Sequence, residues 1–524
     1  MKKLLLLSIV AMMIFSSCDY EQMDISEYFD LSEFKSATRA SRDHYSISTS
    51  DKLSSECAKA VMEVGGNAAD AFIASSFVLC VTEGYASNLG GSGAAVIYNP
   101  KKDEVKAFDY RAEASSSYTD AAIPGLVSGL LEIYEDYATM DWQDLLEPAV
   151  RISEKGFKID KDYERNLRNF DYSYENKEFM KDGETLKKGD KLIQKDLSNT
   201  LKKIQKDPKS FYNGKIAQDI AENTGLDLND INNYETRKKD AIYTNISDGK
   251  KELMIYGAPA PMGSQFSMEM IKLMFQKQVA NPEDDLKSYM DGFYNSFMQA
   301  REDAIKYIAD PEFYDFDQNY ILSDEYLSKK QDEIYLAKEK ECPSTTHLSI
   351  ADDQGLIISA THTLSEFWGT GQKIDGFFMN NSNTNFAKRG VNTYSSHKRS
   401  KTSSSPLIVM DHGKMYAIGS PGGIYIPQII SSVVYPFEKY DLNPKRLVEG
   451  QRLLVNYDGA IVNDQKEDYE DNMAYKQDVY DTQRDIINSE TKSIFGCVAI
   501  AGYSDDLGYF SYGDSHRQGY AISK

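Results

Sequence analysis

Cysteine, histidine and tryptophan are scarce in this chain, and acidic residues outnumber basic ones. With 5 Cys and 6 His in 524 residues, little is available to build a metal centre or a disulfide framework. Beyond Cys18, only Cys57, Cys80, Cys342 and Cys497 remain, and none has CxxC spacing. Cys57 and Cys80 fall in apolar helical patterns and Cys497 in an apolar strand pattern, where cysteine serves as a small hydrophobe. A metal enzyme is therefore not expected, and no cofactor is implied. Lys+Arg 59 against Asp+Glu 81 gives a net charge of −22, which argues against nucleic acid or a bare anionic membrane as partner. After the first residues no apolar run approaches a bilayer span, so the remainder is expected to be soluble. No repeat or low-complexity block is evident.

What is present begins with an address. Lys2-Lys3, an apolar run from Leu4 to Phe15, and Ser16-Ser17-Cys18 have the layout of a secretory signal, too short for a stable anchor helix. A cysteine at the cleavage point resembles a bacterial lipobox. The expectation is a signal peptide over 1–17, a lipidated Cys18 as mature amino terminus, and an acidic tether over 18–44. The protein would then be an exported, membrane-anchored lipoprotein of a bacterial envelope, periplasmic or at the cell surface, touching the membrane only through its lipid.

The body reads as mixed α and β. Ser54 or Ser55 can cap a helix that runs to Val64 and stops at Gly65-Gly66; Asn67 starts a second, Ala68 to Cys80, apolar nearly all round and so expected to be buried. Asn88-Leu89-Gly90-Gly91-Ser92-Gly93 feeds a strand over Ala94–Tyr98, paired with Val105–Asp109. Helices are expected after Pro124-Gly125 through Tyr134 and over Trp142–Lys155. The stretch 160–340 is polar, charged and mostly helical in pattern. After Cys342-Pro343-Ser344 come three hairpins: Thr345–Ile350 with Leu356–Thr363, Leu407–Met410 with Met415–Ile418, and Phe495–Ala501 with Tyr509–Tyr512. Hairpins separated by buried helices suggest a layered α+β sandwich, with both halves sharing one core.

Thr345 opens the first of these hairpins. A hydroxyl at the head of a strand means little by itself, but a chain cut before it would give that threonine its own base. A free α-amine has a pKa of about 7.7–8.0, so near neutrality part of it can accept the hydroxyl proton.

The ordered motifs Gly65-Gly66-Asn67-Ala68-Ala69-Asp70-Ala71, Asn88 to Gly93, Asp109-Tyr110-Arg111-Ala112-Glu113, Ile123-Pro124-Gly125, Glu147-Pro148-Ala149, Thr345-Thr346-His347, Gly369-Thr370-Gly371, Gly419-Ser420-Pro421-Gly422-Gly423 and Asp514-Ser515-His516-Arg517 resemble the γ-glutamyltranspeptidases, a family of amino-terminal-nucleophile hydrolases. The resemblance runs from about Ala58 to Ala521. It implies a four-layer αββα sandwich and a precursor that cuts itself between Ser344 and Thr345, leaving a large chain (45–344 after the tether) and a small one (345–524) assembled as a heterodimer. It implies Thr345 as nucleophile, Thr363 as the hydroxyl that orients it, and the N–H groups of Gly422 and Gly423 as the oxyanion hole. Arg111, Thr402 and Ser403 match the substrate-carboxylate side. The implied reaction is hydrolysis or transfer at γ-glutamyl amides such as glutathione or γ-glutamyl peptides, through an acyl-enzyme.

The amine side departs from the family pattern. Ser365 stands where the family usually has asparagine, and Asn380-Asn381-Ser382-Asn383-Thr384-Asn385-Phe386 replaces Asn-Asn-Gln-Met-Asp-Asp-Phe. Ser382 thus replaces a glutamine, and Asn385 the acid expected to pair with the substrate ammonium; losing that charge-assisted bond removes about 1.5–3 kcal/mol. The interval Ala387–Lys401 is also shorter than in the family's lidded bacterial enzymes, as in members acting on capsule poly-γ-glutamate. Either the ammonium is held by neutral groups and water, or the enzyme is a lidless acylase or poly-γ-glutamate depolymerase that needs no free ammonium. A further alternative is an inactive surface-binding lipoprotein that keeps the fold. Trp368 is expected either to line the open cleft or simply to pack.

Overall fold

The computed structural model describes residues 28–29, 34–36, 40–171, 175–247, 251–330, 344–450, 452–456, 461–464, 486–489, 495–514 and 516–524. The signal peptide, Cys18, Cys342 and Ser515 lie outside the described residues. Two antiparallel sheets lie face to face. The first uses β1 (Tyr45–Thr49), β2 (Ser92–Asn99), β3 (Glu104–Tyr110) and β4 (Arg237–Asp240). The second takes β5 (Ile242–Ser247) and β6 (Glu252–Gly257). The later half adds β7 (Ser344–Asp352) and β8 (Ile357–Ser365) to the first sheet, β9 (Leu407–Asp411), β10 (Lys414–Gly419), β11 (Ala499–Ser504) and β12 (Gly508–Gly513) to the second, and β13 (Tyr520–Ser523) to the first. The first sheet runs β13-β1-β7-β8-β2-β3-β4 and the second β12-β11-β10-β9-β6-β5. Both sheets therefore contain strands from before and after residue 345, interleaved in the first and joined edge to edge in the second, as a shared core requires.

Helices cover both outer faces. α1 (Lys52–Glu63), α2 (Ala68–Thr82), α3 (Leu126–Tyr137) and α4 (Trp142–Lys155) share one apolar cluster with Leu348, Ile350 and Ile358 of the first sheet. α5 (Ser264–Gln276), α6 (Leu286–Tyr307) and α7 (Ile426–Tyr440) share another with Val409, Ile418 and Ile500 of the second. A third, thinner cluster of small residues, including Ala94, Ala107, Ala258 and Ala417, lies between the sheets. The result is the four-layer αββα sandwich. Among the described residues no helix is long and apolar enough to cross a membrane.

The sheets meet through polar as well as small side chains. Ser46 Oγ donates to Gly502 O at 3.1 Å, and Ser349 Oγ to Ala499 O at 2.9 Å. His347 sits between the sheets, its Nδ1 2.8 Å from Thr361 Oγ1. The second sheet can approach because Gly419 faces the ring; a Cβ there would lie 2.2 Å from His347 Cε1.

Several expectations need correction. α1 starts at Lys52, not after Ser54, because Asp51 is its cap, accepting from Ser54 N at 2.9 Å. The charged stretch 160–340, expected to be mostly helical, contains β4, β5 and β6. The alternating burial of β5 and β6 is the period of a strand with one buried face. β4, Arg-Lys-Lys-Asp, is an edge strand defined by pairing with β3. The tether is not free along its whole length: Tyr28, Phe29 and Phe34 are buried in the first apolar cluster. Ser36 N and Oγ donate to Asp144 Oδ2 at 2.6 and 2.5 Å.

α2 shows how a short motif anchors this frame. Asn67 caps it and Asp70 closes the capping box, accepting from Asn67 N at 2.8 Å. Asp70 also accepts from Thr139 N at 2.9 Å, Met140 N at 3.0 Å and Thr139 Oγ1 at 2.5 Å, tying α2 to the α3–α4 turn. Asp70→Ala should lower stability by about 3 kcal/mol, since buried donors lose a charged acceptor; the denaturant midpoint reports it. His347 and His362 are both held down to about 3 by burial, His347 further by neighbouring His362. Neutral in the folded chain and protonated near 6.5 when unfolded, each removes stability as pH falls from about 6.5 toward 3. His347→Gln should flatten that loss by about 1.4 kcal/mol per pH unit, measured as stability against pH.

Candidate active site

The pairing of β7 with β8 is regular except at one point. Ser344 pairs with Ser365 and Thr346 with His362, so Thr363 and Leu364 together oppose the single residue Thr345. Such a bulge bends the ladder and re-aims side chains. Thr345 Oγ1 consequently lies against the carbonyl of its own preceding residue, donating to Ser344 O at 2.6 Å. Thr363 Oγ1 donates to the same oxygen, and accepts from Ser365 N at 2.8 Å. Two hydroxyls thus converge on one peptide carbonyl inside a buried strand. On the opposite face Thr346 Oγ1 is hydrogen-bonded to Ser50 Oγ, and Ser50 donates to Glu83 at 3.1 Å, which pins the strand from behind.

Thr345 and Thr363 form one wall of a cavity of about 350 Å³. Opposite stand Thr402, Ser403 and Ser404, and beside them Ser365, Asn385 and Gly423. Gly422 and Gly423, at φ 136° and 59°, occupy backbone that L side chains rarely adopt. Their N–H groups donate to no acceptor among the described residues. They lead into α7, whose amino-terminal end favours negative charge. This arrangement can stabilise an oxyanion beside the threonine hydroxyl.

The carboxylate side is built in two layers. Thr402 and Ser403 line the cavity, with Thr402 held by its N–H to Pro261 O at 3.1 Å and its hydroxyl to Ser404 Oγ at 3.1 Å. Arg111 is not in the cavity wall: it is fully buried behind it, with Nη2 3.3 Å from Ser400 O and 3.4 Å from Ser400 Oγ. Asp109 accepts from Arg111 N at 2.9 Å and pairs with Arg399 at 3.2 Å, while Arg399 also pairs with Glu113 at 3.2 Å. Flanking carboxylates hold the Arg399 guanidinium even more firmly protonated, against the opposing effect of its burial. Arg399, overlooked in the sequence, therefore locks the Asp109–Glu113 segment to the hydroxyl-bearing one. Its signal was a basic residue immediately before the serine-rich run.

The amine side is neutral. Asn385 Nδ2 donates to Ser365 Oγ at 2.8 Å. Ser365 sits at φ 79°, a conformation that the family's asparagine would adopt more readily. Ser382 is buried outside the cavity wall and contributes its carbonyl to Ser400 Oγ at 2.9 Å. Asn380 is scaffolding: its Nδ2 donates to Gly90 O at 2.8 Å and Ala122 O at 2.9 Å, joining the glycine-rich turn to this segment. Trp368 packs and does not line the cleft; it stacks on Phe170 at 4.5 Å and donates to Asn166 O at 3.0 Å. Asn392, Lys401 and Arg389 also line the cavity and went unnoticed, because nothing local marks them.

Comparison with known proteins places the chain in a family. The Gamma-glutamyltranspeptidase family model matches residues 54–522. The chain is 35% identical over 443 residues to the capsule biosynthesis protein CapD proenzyme of Bacillus anthracis, spanning 83% of this chain and 80% of that one. It is 27% identical over 480 residues to the glutathione hydrolase proenzyme of Bacillus subtilis, spanning 78% and 80%. In three dimensions it resembles cephalosporin acylase from Bacillus halodurans with a TM-score of 0.78 at 19% identity, covering 92% of this chain and 96% of that one. A family match over residues 54–522 and 35% identity to a relative across 83% of this chain lead to one conclusion: the chain belongs to the γ-glutamyltranspeptidase family.

Proposed function

We propose that this protein is a self-processing γ-glutamyl hydrolase and transferase whose nucleophile is Thr345. The observation that carries the reading is the convergence of the Thr345 and Thr363 hydroxyls on the Ser344 carbonyl at the edge of a cavity. In the precursor, Thr345 Oγ attacks the Ser344 carbonyl carbon. The Oγ–C bond forms and the C–N bond breaks as the amide nitrogen takes the hydroxyl proton; water then hydrolyses the ester. That frees the Thr345 α-amine and leaves large and small chains as a heterodimer. Both relatives named above are proenzymes, which supports this step.

In the mature enzyme the freed amine takes the Thr345 hydroxyl proton as Oγ attacks the γ-glutamyl carbonyl. The oxyanion is met by the N–H groups of Gly422 and Gly423, and the departing amine receives the proton. The acyl ester is released by water or by an acceptor amine. Thr402 and Ser403 meet the substrate α-carboxylate from the cavity wall, and Arg111, buried behind it, supports that side with its charge; Ser365 and Asn385 shape the side that faces the α-nitrogen, with Ser382 buried outside the wall. Glutathione and γ-glutamyl peptides are the substrates of this reading. Cys18 is the lipidated amino terminus in the same reading, placing the enzyme outside the cytoplasm on a lipid anchor.

Intact mass of the purified mature protein tests the nucleophile. Wild type should yield two fragments, the smaller beginning at Thr345, and Thr345→Ala a single chain. Thr363→Val should slow cutting by on the order of a hundredfold. One uncut chain in wild type as well as Thr345→Ala would instead favour an inactive surface-binding protein. Competition tests the amine side: inhibition by an N-acyl glutamate but not by free glutamate would exclude substrates that need a free ammonium.

A further inference from the structure

The sign of the surface charge reverses over one stretch of this chain. Between residues 151 and 210, fourteen Lys and Arg are exposed among the described residues against seven Asp and Glu, in a chain of net charge −22. The end of α4 and the elements after it carry these basic residues. Lys158 and Lys191 are direct partners in a short antiparallel strand pair and both are exposed, although like charges set opposite one another weaken a ladder. The helix Lys195–Lys206 buries Leu197, Leu201 and Ile204 and leaves Lys195, Lys202 and Lys206 exposed, at spacings that fall on one side. Lys202 pairs with Glu154 at 2.9 Å. That helix runs along α4: Gln194 N donates to Ser153 O at 2.9 Å at one end, and Gln205 Nε2 to Gln143 O at 2.8 Å at the other.

The amino-terminal segment meets the body at the same place. Tyr28 Oη donates to Gly156 O at 3.2 Å. Ile193, 38% exposed, lies against that glycine, where a Cβ would stand 2.5 Å from Ile193 Cγ1. An exposed isoleucine thus stands among Lys155, Lys158, Lys191 and Lys195, the mixture of an apolar tip and long cations found where a protein rests on a bilayer. Tyr28 lies ten residues after Cys18, a length of chain that reaches at most about 35 Å. A lipid on Cys18 therefore keeps this side of the body near the membrane. An anionic bilayer attracts lysines that come within the Debye length, about 8 Å at physiological salt. The charge of the chain as a whole does not decide such contact, because screening confines each surface charge to its own neighbourhood. The four acids between Cys18 and Tyr28 are fewer than the exposed basic excess of seven.

We propose that this lysine face, from α4 to the helix Lys195–Lys206, is a membrane-contact surface for anionic phospholipid headgroups. The enzyme then lies against the bilayer on this side instead of meeting it through its lipid alone. The proposal rests on the Cys18 reading above. The lysine ammonium groups meet headgroup phosphates, while Ile193 enters the boundary between headgroups and acyl chains.

Lysine acetylation of the processed, full-length mature protein tests the surface. The protein is held on vesicles of phosphatidylglycerol and phosphatidylcholine in equal parts, or of phosphatidylcholine alone, and each lysine is read by peptide mass. On the anionic vesicles Lys158, Lys191, Lys195 and Lys202 should react about fivefold more slowly than on the neutral ones, and raising salt should remove the difference. Lys287, on α6 in the opposite helical layer, should react alike on both. Lys195→Glu with Lys202→Glu and Lys206→Glu should abolish the protection of Lys158 and Lys191 while leaving the unfolding midpoint unchanged. Equal rates on the two kinds of vesicle at all four lysines overturn the surface, as does protection that survives in the triple variant. The mass of the amino-terminal peptide reads the anchor separately. A lipid-free Cys18 overturns the anchor reading, and the surface then stands only if the unlipidated chain sediments with the anionic vesicles and the triple variant does not.

Discussion

A peptide bond that is to be attacked by its own side chain must be held still while water is kept from it. Here the β7–β8 pairing supplies the hold. Both strands are central in the seven-stranded sheet, flanked by β1 and β2 and covered on their two faces by α2 and by the second sheet. The ladder yields at one point only, where Thr363 and Leu364 share the space opposite Thr345. Were the pairing regular there, neighbouring hydroxyls would not converge on the Ser344 carbonyl. Everything else in the site is positioned against that bulge: the glycine turn leading to α7, the hydroxyls after Ser400, and the asparagine segment held by Asn380.

Charge is distributed with the same economy. Among the described residues, the cavity is lined by hydroxyls, carboxamides, Arg389 and Lys401, with none of the acids that give the chain its net charge. The buried guanidinium of Arg399 is balanced by Asp109 and Glu113. Such a pair is costly to desolvate and stabilises the fold weakly, but breaking it would leave an uncompensated buried charge. Its role here is registration: it keeps β3, and Arg111 directly after it, in step with the segment that carries Thr402 and Ser403.

The sequence disclosed the local parts of this machine with fair accuracy. Asn67 read as a helix start because a cap is a contact among near neighbours, and α4 was delimited correctly. Thr345 and Gly423 could be singled out because each belongs to a short motif, Thr363 because it lies on the partner strand of the Thr345 hairpin where the resemblance places an orienting hydroxyl, and all three meet in one cavity. The misses share a cause. β4 has no apolar pattern since it is an edge strand, Arg389 carries no motif, and the aromatic residues of the tether reveal their burial only when α4 is packed beside them.

By itself, then, the sequence determined most elements outside 160–340 through propensity and periodicity. The order of its motifs, through their resemblance to a family, pointed to that family and to the hydroxyl at residue 345. Only the tertiary structure decided that Arg111 stands behind the cavity instead of in it, that Trp368 packs inside an aromatic cluster, and that two cations from either side of Asn392 line the cavity that holds Thr345. Those facts depend on which faces of distant strands are pressed together, and burial of side chains far apart in sequence sets that; no single segment encodes it.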